Sequence, residues 1–428
     1  MPTVTLPGAN HTAVTLSYDR DANAMLALHV ASAIRAGVDN NTIFQFDNKS
    51  GTAPPVPPGE TGEFIQSESG TTILPPGYDY VVDSAHDATI LGNGDRNEQV
   101  LAGSGNLKFF ASSGSGSIIT GGGNDQVNIA ASDAGDWLIA MGNGNDTIRA
   151  LGSGSDTISA VSGKTLIQLG SGSDVITTAG SNTILGGTGS ETIVASGSGK
   201  QVIFGNASDL FFIAAGASTV IGGTGSDTVF GGSGDELLEG GTKGGNFLQA
   251  GDGRATLFGG GNGDQLYAAG DDKQELHAAS GNETLSGAFA SGHDTFFGGS
   301  GSDQIFGGFG HNTFVAGTGS ATVTASPGSM NLFDFMKAVG GGSELVMGLT
   351  DVSQVHIDLV GYGENEVKFA LDHQSVSDGS VTVTLSDHTT VTFQNVGLLS
   401  NRNFDVGGSG DSDGDHGKHL AFGNHGDH

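Results

Sequence analysis

The residues whose type and spacing could do chemistry in this sequence are acids set into glycine turns. Five stretches show them plainly: Gly142-Asn143-Gly144-Asn145-Asp146-Thr147-Ile148, Gly152-Ser153-Gly154-Ser155-Asp156-Thr157-Ile158, Gly170-Ser171-Gly172-Ser173-Asp174-Val175-Ile176, Gly223-Thr224-Gly225-Ser226-Asp227-Thr228-Val229 and Gly299-Ser300-Gly301-Ser302-Asp303-Gln304-Ile305. Each reads G-x-G-x-D-x-U, with U aliphatic. The glycines suit a turn that needs positive φ, and the segment closes on a short strand rich in β-branched residues. A carboxylate ringed by turn carbonyls is a hard, all-oxygen, flexible donor set. It suits Ca²⁺ better than zinc or copper, and better than Mg²⁺, which demands a strict octahedron and keeps its waters.

The elements that must position these acids follow from the phase. Continued through the weaker copies, a position equivalent to the Asp recurs about every nine residues from Leu107 to Ala321. One turn and one short strand fill about nine residues; a helix pair or a propeller blade needs more. The phase therefore predicts a β-solenoid in which two repeats make a coil of roughly 18 residues, with the U side chains inside. About twelve such coils would run roughly 55–60 Å at the ~4.8 Å spacing of bonded strands.

Two repeats per coil put alternate acids on opposite edges. One edge collects Asp136, Asp156, Asp174, Glu191, Asp209, Asp227, Asn246, Asp264, Glu283 and Asp303, nine acids and one Asn. The other collects Asp125, Asp146, Thr165, Asn182, Gln201, Ser218, Glu236, Ala255, Gln274, Asp294 and Asn312, with only four acids. Aligned carboxylates about 5 Å apart repel one another, so an ordered ladder needs counter-ions between its rungs. The candidate calcium ligands are Asp125, Asp146, Asp156, Asp174, Glu191, Asp209, Asp227, Asp264, Glu283, Asp294 and Asp303. The turn glycines Gly152, Gly154, Gly170, Gly172, Gly187, Gly189, Gly223, Gly225, Gly299 and Gly301 would supply carbonyls without a Cβ in the way.

Composition narrows the function classes. The 428 residues include 76 Gly and only 9 Pro, with 46 acidic residues against 15 basic ones, a net charge of -31 and no Cys. Phosphate contacts need Lys and Arg, so nucleic acid and anionic membrane surfaces are poor partners. Without Cys there is no disulfide framework, zinc–thiolate site or cysteine nucleophile. No apolar run approaches the ~20 residues that span a bilayer, and the first residues do not read as an export leader.

The chain divides by composition into a mixed segment over residues 1–85, repeats over 86–328, a β-rich segment over 329–404 and a Gly/Asp/His tail over 405–428. The first segment predicts a helix over Asp19 to Val38, with Ala24, Leu26, Leu28, Val30, Ala31 and Ile34 as its apolar positions, then a proline-rich connector. The run from Ser380 to Phe393 predicts a β-hairpin. Trp137 reads as a coil-end or surface contact. The tail residues Asp411, Asp413 and Asp415 resemble the start of an EF-hand loop, but Phe422 stands where that loop needs a bidentate Glu.

These repeats resemble the G-G-x-G-x-D-x-U-x nonapeptides of RTX (repeats-in-toxin), or hemolysin-type, calcium-binding proteins. The resemblance covers about half the chain. It implies a Ca²⁺-binding parallel β-roll, an all-β fold with a small α-containing N-terminal segment and a C-terminal β-rich domain. The pattern lapses at Gln201, Ala255, Gln274 and Ala321, where the Asp is lost. The stretch from Asn331 to Leu349 is similar to the region that follows the repeats in such proteins. In the family that region carries an uncleaved type I secretion signal, which implies export to the bacterial cell surface or beyond.

The expectation is a secreted, non-enzymatic protein with several Ca²⁺ ions and a structural, adhesive, biofilm-matrix or surface-layer role. Its further partners would be cell-surface glycans or other copies of the chain. A secreted enzyme, a toxin and a glycan- or ice-binding module remain as alternatives.

Overall fold

The computed structural model describes residues 1–406 apart from 95, 96, 112, 214, 215 and 327. Short segments of alternating apolar and polar residues form strands, and turns separate them at intervals too short for helices. From Ile43 to Val406 the chain winds as a β-solenoid of about 16 turns. Each turn gives one strand to each of two facing parallel sheets. The first sheet begins with Ile43–Asp47 and Thr61–Gln66, continues through Trp137–Ala140 and Thr157–Ala160, and its parallel run ends at Thr390–Phe393, to which Ser380–Thr384 and Ser375–Ser377 add antiparallel. The second runs from Gly70–Ile73 to Phe404–Val406.

The core is two facing columns of aliphatic and aromatic side chains. Ile158, Ile176, Ile193, Phe211, Val229, Leu248, Leu266 and Leu285 come from the first sheet, and Ile148, Ile167, Ile184, Ile203, Val220, Leu238, Leu257 and Leu276 from the second. All are buried. These are the U positions of the repeat, each two residues after an acid or its equivalent, so the period of two that points them inward places the acids on the same face.

The solenoid is longer than the roughly twelve coils expected. Strands of the mixed segment, such as Tyr78–Asp83, pair in register with the repeat strands that follow, and Thr390–Phe393 pairs in parallel with Ser343–Met347. The sheets thus cross the composition boundaries drawn at 85/86 and 328/329. Phe64, Val81 and Val100 fill the same inward column without the full G-x-G-x-D turn before them, so core continuity does not require the complete repeat motif. The expected hairpin forms, with Ser380–Thr384 antiparallel to Thr390–Phe393. The tail beyond Val406, with its EF-hand-like stretch, lies outside the described residues.

Residues before Ile43 form a separate layer. The antiparallel strands Thr3–Gly8 and Thr12–Ser17, with helix α1 (Asp21–Asp39), lie on the outside of the first sheet. Leu6, Leu16, Ala27, Val30 and Ile34 pack there with Ile65, Val82, Leu101 and Ile119. The buried face of α1 is Asn23, Ala24, Ala27, Val30, Ala31 and Ile34, whereas Leu26 and Leu28 are exposed, against expectation. Positions 24, 26, 28 and 30 cannot share one face at 3.6 residues per turn; 23, 27, 30, 31 and 34 can. The Asn23 side-chain NH₂ donates to the Thr120 carbonyl at 2.9 Å, tying the helix to the solenoid.

Candidate metal centre

The turns entering first-sheet strands form one edge, and those entering second-sheet strands form the other. Strand register places Asp156, Asp174, Glu191, Asp209, Asp227, Asn246, Asp264, Glu283 and Asp303 in one column on consecutive rungs. Asp125, Asp146, Thr165, Asn182, Gln201, Ser218, Glu236, Ala255, Gln274, Asp294 and Asn312 form the column opposite. Sequence phasing assigned both columns correctly except at Asp136. There Trp137 takes the inward place in register with Asp156, while Asp136 is exposed and accepts from the Ser155 N–H at 2.7 Å. Trp137 is a core residue and not a surface contact. It is 1% exposed, lies 6.3 Å from Phe109 between ring centroids, and its indole N–H donates to Asp133 at 2.9 Å.

The carboxylates sit beneath the turns, almost out of water: Asp125, Asp146, Asp156, Asp174, Glu191, Asp227, Asp264, Glu283 and Asp294 are all buried. One oxygen typically accepts the backbone N–H of the preceding rung. Asp156 N–H donates to Asp174 at 2.7 Å, Asp125 N–H to Asp146 at 2.9 Å, Glu191 N–H to Asp209 at 2.9 Å and Asp209 N–H to Asp227 at 3.0 Å. The second oxygen is the anomaly. Oδ2 of Asp125, Asp146, Asp209, Asp227 and Asp294, Oε2 of Glu191 and Glu236, and both oxygens of Glu283 are buried without a donor in hydrogen-bonding geometry among the described residues. Buried carboxylate oxygens are ordinarily paired, because an unmet charge in low dielectric is costly.

The cost shows in the titration behaviour. Burial pushes Asp125, Asp227 and Glu236 up to about 7, and Asp146, Asp156 and Asp294 up to about 6. Glu191 and Glu283 are raised by burial and then by the adjoining carboxylates of Asp209 and Asp303. A carboxylate pair so placed must share a proton or a cation.

The glycines explain how the turns stack. A Cβ on Gly172 would lie 1.6 Å from the Gly154 carbonyl oxygen, on Gly170 2.0 Å from that of Gly152, and on Gly189 1.5 Å from that of Gly172. A Cβ on Gly187 would meet Gly170 O at 1.6 Å, on Gly225 Ala207 O at 1.9 Å, and on Gly299 Ala279 O at 2.0 Å. Positive φ, one of the two expected reasons, applies only to Gly223 (84°) and Gly301 (135°) among the ten candidate glycines. The remainder are glycine because successive turn backbones nearly touch.

Not every candidate is equally in want of a cation. Asp264 accepts from the N–H groups of Asn246, Gly260 and Gly261 at 2.8, 2.7 and 3.0 Å and from the Asn246 amide at 2.9 Å. Asp303 accepts from Glu283 N–H at 3.0 Å and Gly299 N–H at 3.2 Å. The phase missed other members of the first column. Glu98, with an orphaned Oε2, lies two rungs before Trp137, and Glu344 lies two rungs after Asp303; burial pushes them up to about 7 and about 8. A longer insertion between Asn331 and Glu344 breaks the nine-residue spacing there, whereas Glu98 lies on the regular spacing, one step before Leu107 where the counted copies begin. Asp19, before α1, also reaches the second edge, where it accepts the Asn143 N–H at 2.5 Å.

The donor set fits a hard cation: anionic oxygens lacking donors, buried beneath turns whose backbones approach too closely for side chains. No cluster of three or more acidic or imidazole side chains forms a ready cage among the described residues, so backbone carbonyls would have to complete any site. The family model for the "RTX calcium-binding nonapeptide repeat (4 copies)" matches residues 214–242 and 290–323. The chain therefore carries RTX calcium-binding nonapeptide repeats, of a kind typical of secreted bacterial proteins. No curated protein matches it.

Proposed function

We propose that this protein is an exported scaffold whose fold is closed by Ca²⁺ held along its carboxylate columns. Asp125, Asp146, Asp156, Asp174, Glu191, Asp209, Asp227, Glu236, Glu283, Asp294 and Asp303 supply the anionic oxygens. Carbonyls of the stacked glycine turns supply the neutral ones. Bound calcium neutralises the columns and links successive rungs, so its binding free energy becomes folding free energy. The observation that carries this reading is the run of buried carboxylate oxygens that lack donors.

The role is structural or adhesive and not catalytic. In a calcium-poor cytosol the columns repel and the chain stays open for export; outside, calcium closes it. Rigid rungs then present the outer sheet faces, where Phe212 and Phe230 stack at 5.2 Å and His277 lies between Phe258 and Phe297 at 4.4 and 4.1 Å. Those rings spend their faces on one another, which favours contact with another protein surface over a platform for sugar rings. Light scattering during a calcium titration, followed at several protein concentrations, tests the assembling role. Growth in particle mass after folding is complete supports it, and a constant monomer mass contradicts it.

A further inference from the structure

At several rungs the acid is replaced by an amide, and the amide nitrogen lies where turn carbonyls converge. The Gln274 Nε2 donates to Gly251 O at 2.8 Å, Gly253 O at 3.0 Å and Ala269 O at 2.6 Å. Two protons face three carbonyl oxygens drawn from two successive turns. Asn312 Nδ2 donates to Gly308 O at 3.1 Å and Gly310 O at 3.3 Å, and Asn182 Nδ2 to Gly180 O at 3.0 Å. Gln201 Nε2 also donates to Gly180 O. On the first edge, Asn246 Nδ2 donates to Gly241 O at 2.7 Å and to the Asp264 carboxylate at 2.9 Å.

The comparison within the molecule is close. Gln274 donates its backbone N–H to Asp294 on the next rung at 3.0 Å, and Glu283 donates its own to Asp303 at 3.0 Å on the other edge. Both rung pairs make the same backbone bond to the next aspartate, one beneath an amide and the other beneath a carboxylate. In the Glu283 pair neither glutamate oxygen has a donor in hydrogen-bonding geometry among the described residues; in the Gln274 pair the amide oxygen accepts Ala269 N–H at 2.9 Å and the nitrogen fills the carbonyl cradle.

We infer that the NH₂ groups of Gln274, Gln201, Asn182 and Asn312 are resident substitutes for the cation, closing their rungs without metal. This rests on the calcium reading of the acidic rungs and adds to it a division of labour. In the stretch of the second edge from Thr165 to Ser218, which carries no acid, the Asn182 and Gln201 rungs close by themselves, and the acidic rungs wait for calcium. Exchange of a single oxygen for NH₂ moves a rung from one class to the other.

Reciprocal variants of the full chain test it. Gln274→Glu should gain about one bound Ca²⁺ per chain by equilibrium dialysis and need more calcium than wild type to reach half of its β structure. Glu283→Gln should lose at least about one and need less calcium. If Gln274→Glu does not fold, Glu283→Gln decides alone. Unchanged calcium counts in both variants beside a calcium-binding wild type, or a higher calcium midpoint of folding for Glu283→Gln, would overturn the inference. A wild type that binds no calcium would instead overturn the reading beneath it.

Discussion

A carboxylate placed under a turn behaves differently from one on a surface, and the pH dependence of the metal-free chain should reveal it. Asp125, Asp146, Asp227 and Asp294 have folded-state values of about 6 to about 7, above the ordinary value of 3.8. The folded state then binds more protons than the unfolded one between about pH 4 and pH 7, so these groups oppose folding increasingly as pH rises through that window. In EGTA, the chain should hold more β structure and melt higher at pH 5 than at pH 8. Protons compete with calcium for the same oxygens, so calcium affinity should fall over the same descent in pH. A metal-free chain that melts higher at pH 8 would contradict this. The acids themselves were legible in the sequence. Their burial was not, because a G-x-G-x-D turn reads equally well with its carboxylate facing water. Trp137 was misplaced for a related reason: 21 residues separate it from Gly116 on the rung before, and the irregular count shifted the phase by one at Asp136.

Turns and strands carry different requirements. Strands need only one apolar residue at the central inward position, which Phe64 and Val81 supply as well as Ile176 does. Turns need backbones that touch. Gly172→Ala would drive a Cβ to 1.6 Å from the Gly154 carbonyl and should destabilise the calcium-loaded protein by about 3 kcal/mol or more in a denaturant melt, at or above the upper end for overpacking. Gly397→Ala, with nothing within 4 Å of the added carbon, should stay within about 0.5 kcal/mol. Equal effects at both positions would remove close approach as the reason for the glycines. The N-terminal layer is a third kind of element. Removing residues 1–41 should bare Ile65, Val82, Leu101 and Ile119 on the first sheet. Such a chain should bind a hydrophobic dye in the presence of calcium, which the full chain should not. This layer was only half legible: the helix followed from its periodicity, but its docking on a sheet face has no local signature.

The whole molecule is a rod of roughly 75–80 Å by the ~4.8 Å strand spacing, with its charge arranged in lines. The nine-residue phase gave the architecture and the two columns because each repeat is one structural unit. It could not give the ends, where strands such as Tyr78–Asp83 follow turns that lack the full G-x-G-x-D pattern, and where the Gly340-Gly341-Gly342-Ser343-Glu344 turn falls off the nine-residue spacing. Nor could it distinguish an amide that completes a rung from an acid that leaves one open, since that difference lies in where three carbonyls converge. The account as a whole holds that the net charge of -31 is, in good part, a calcium requirement. Far-UV circular dichroism of the full chain, titrated from EGTA to millimolar Ca²⁺ at pH 8, tests this most directly. The predicted result is a largely unordered spectrum that converts cooperatively to β structure as calcium is added, and reverts on chelation. A β-rich spectrum that is the same in EGTA and in calcium would contradict it.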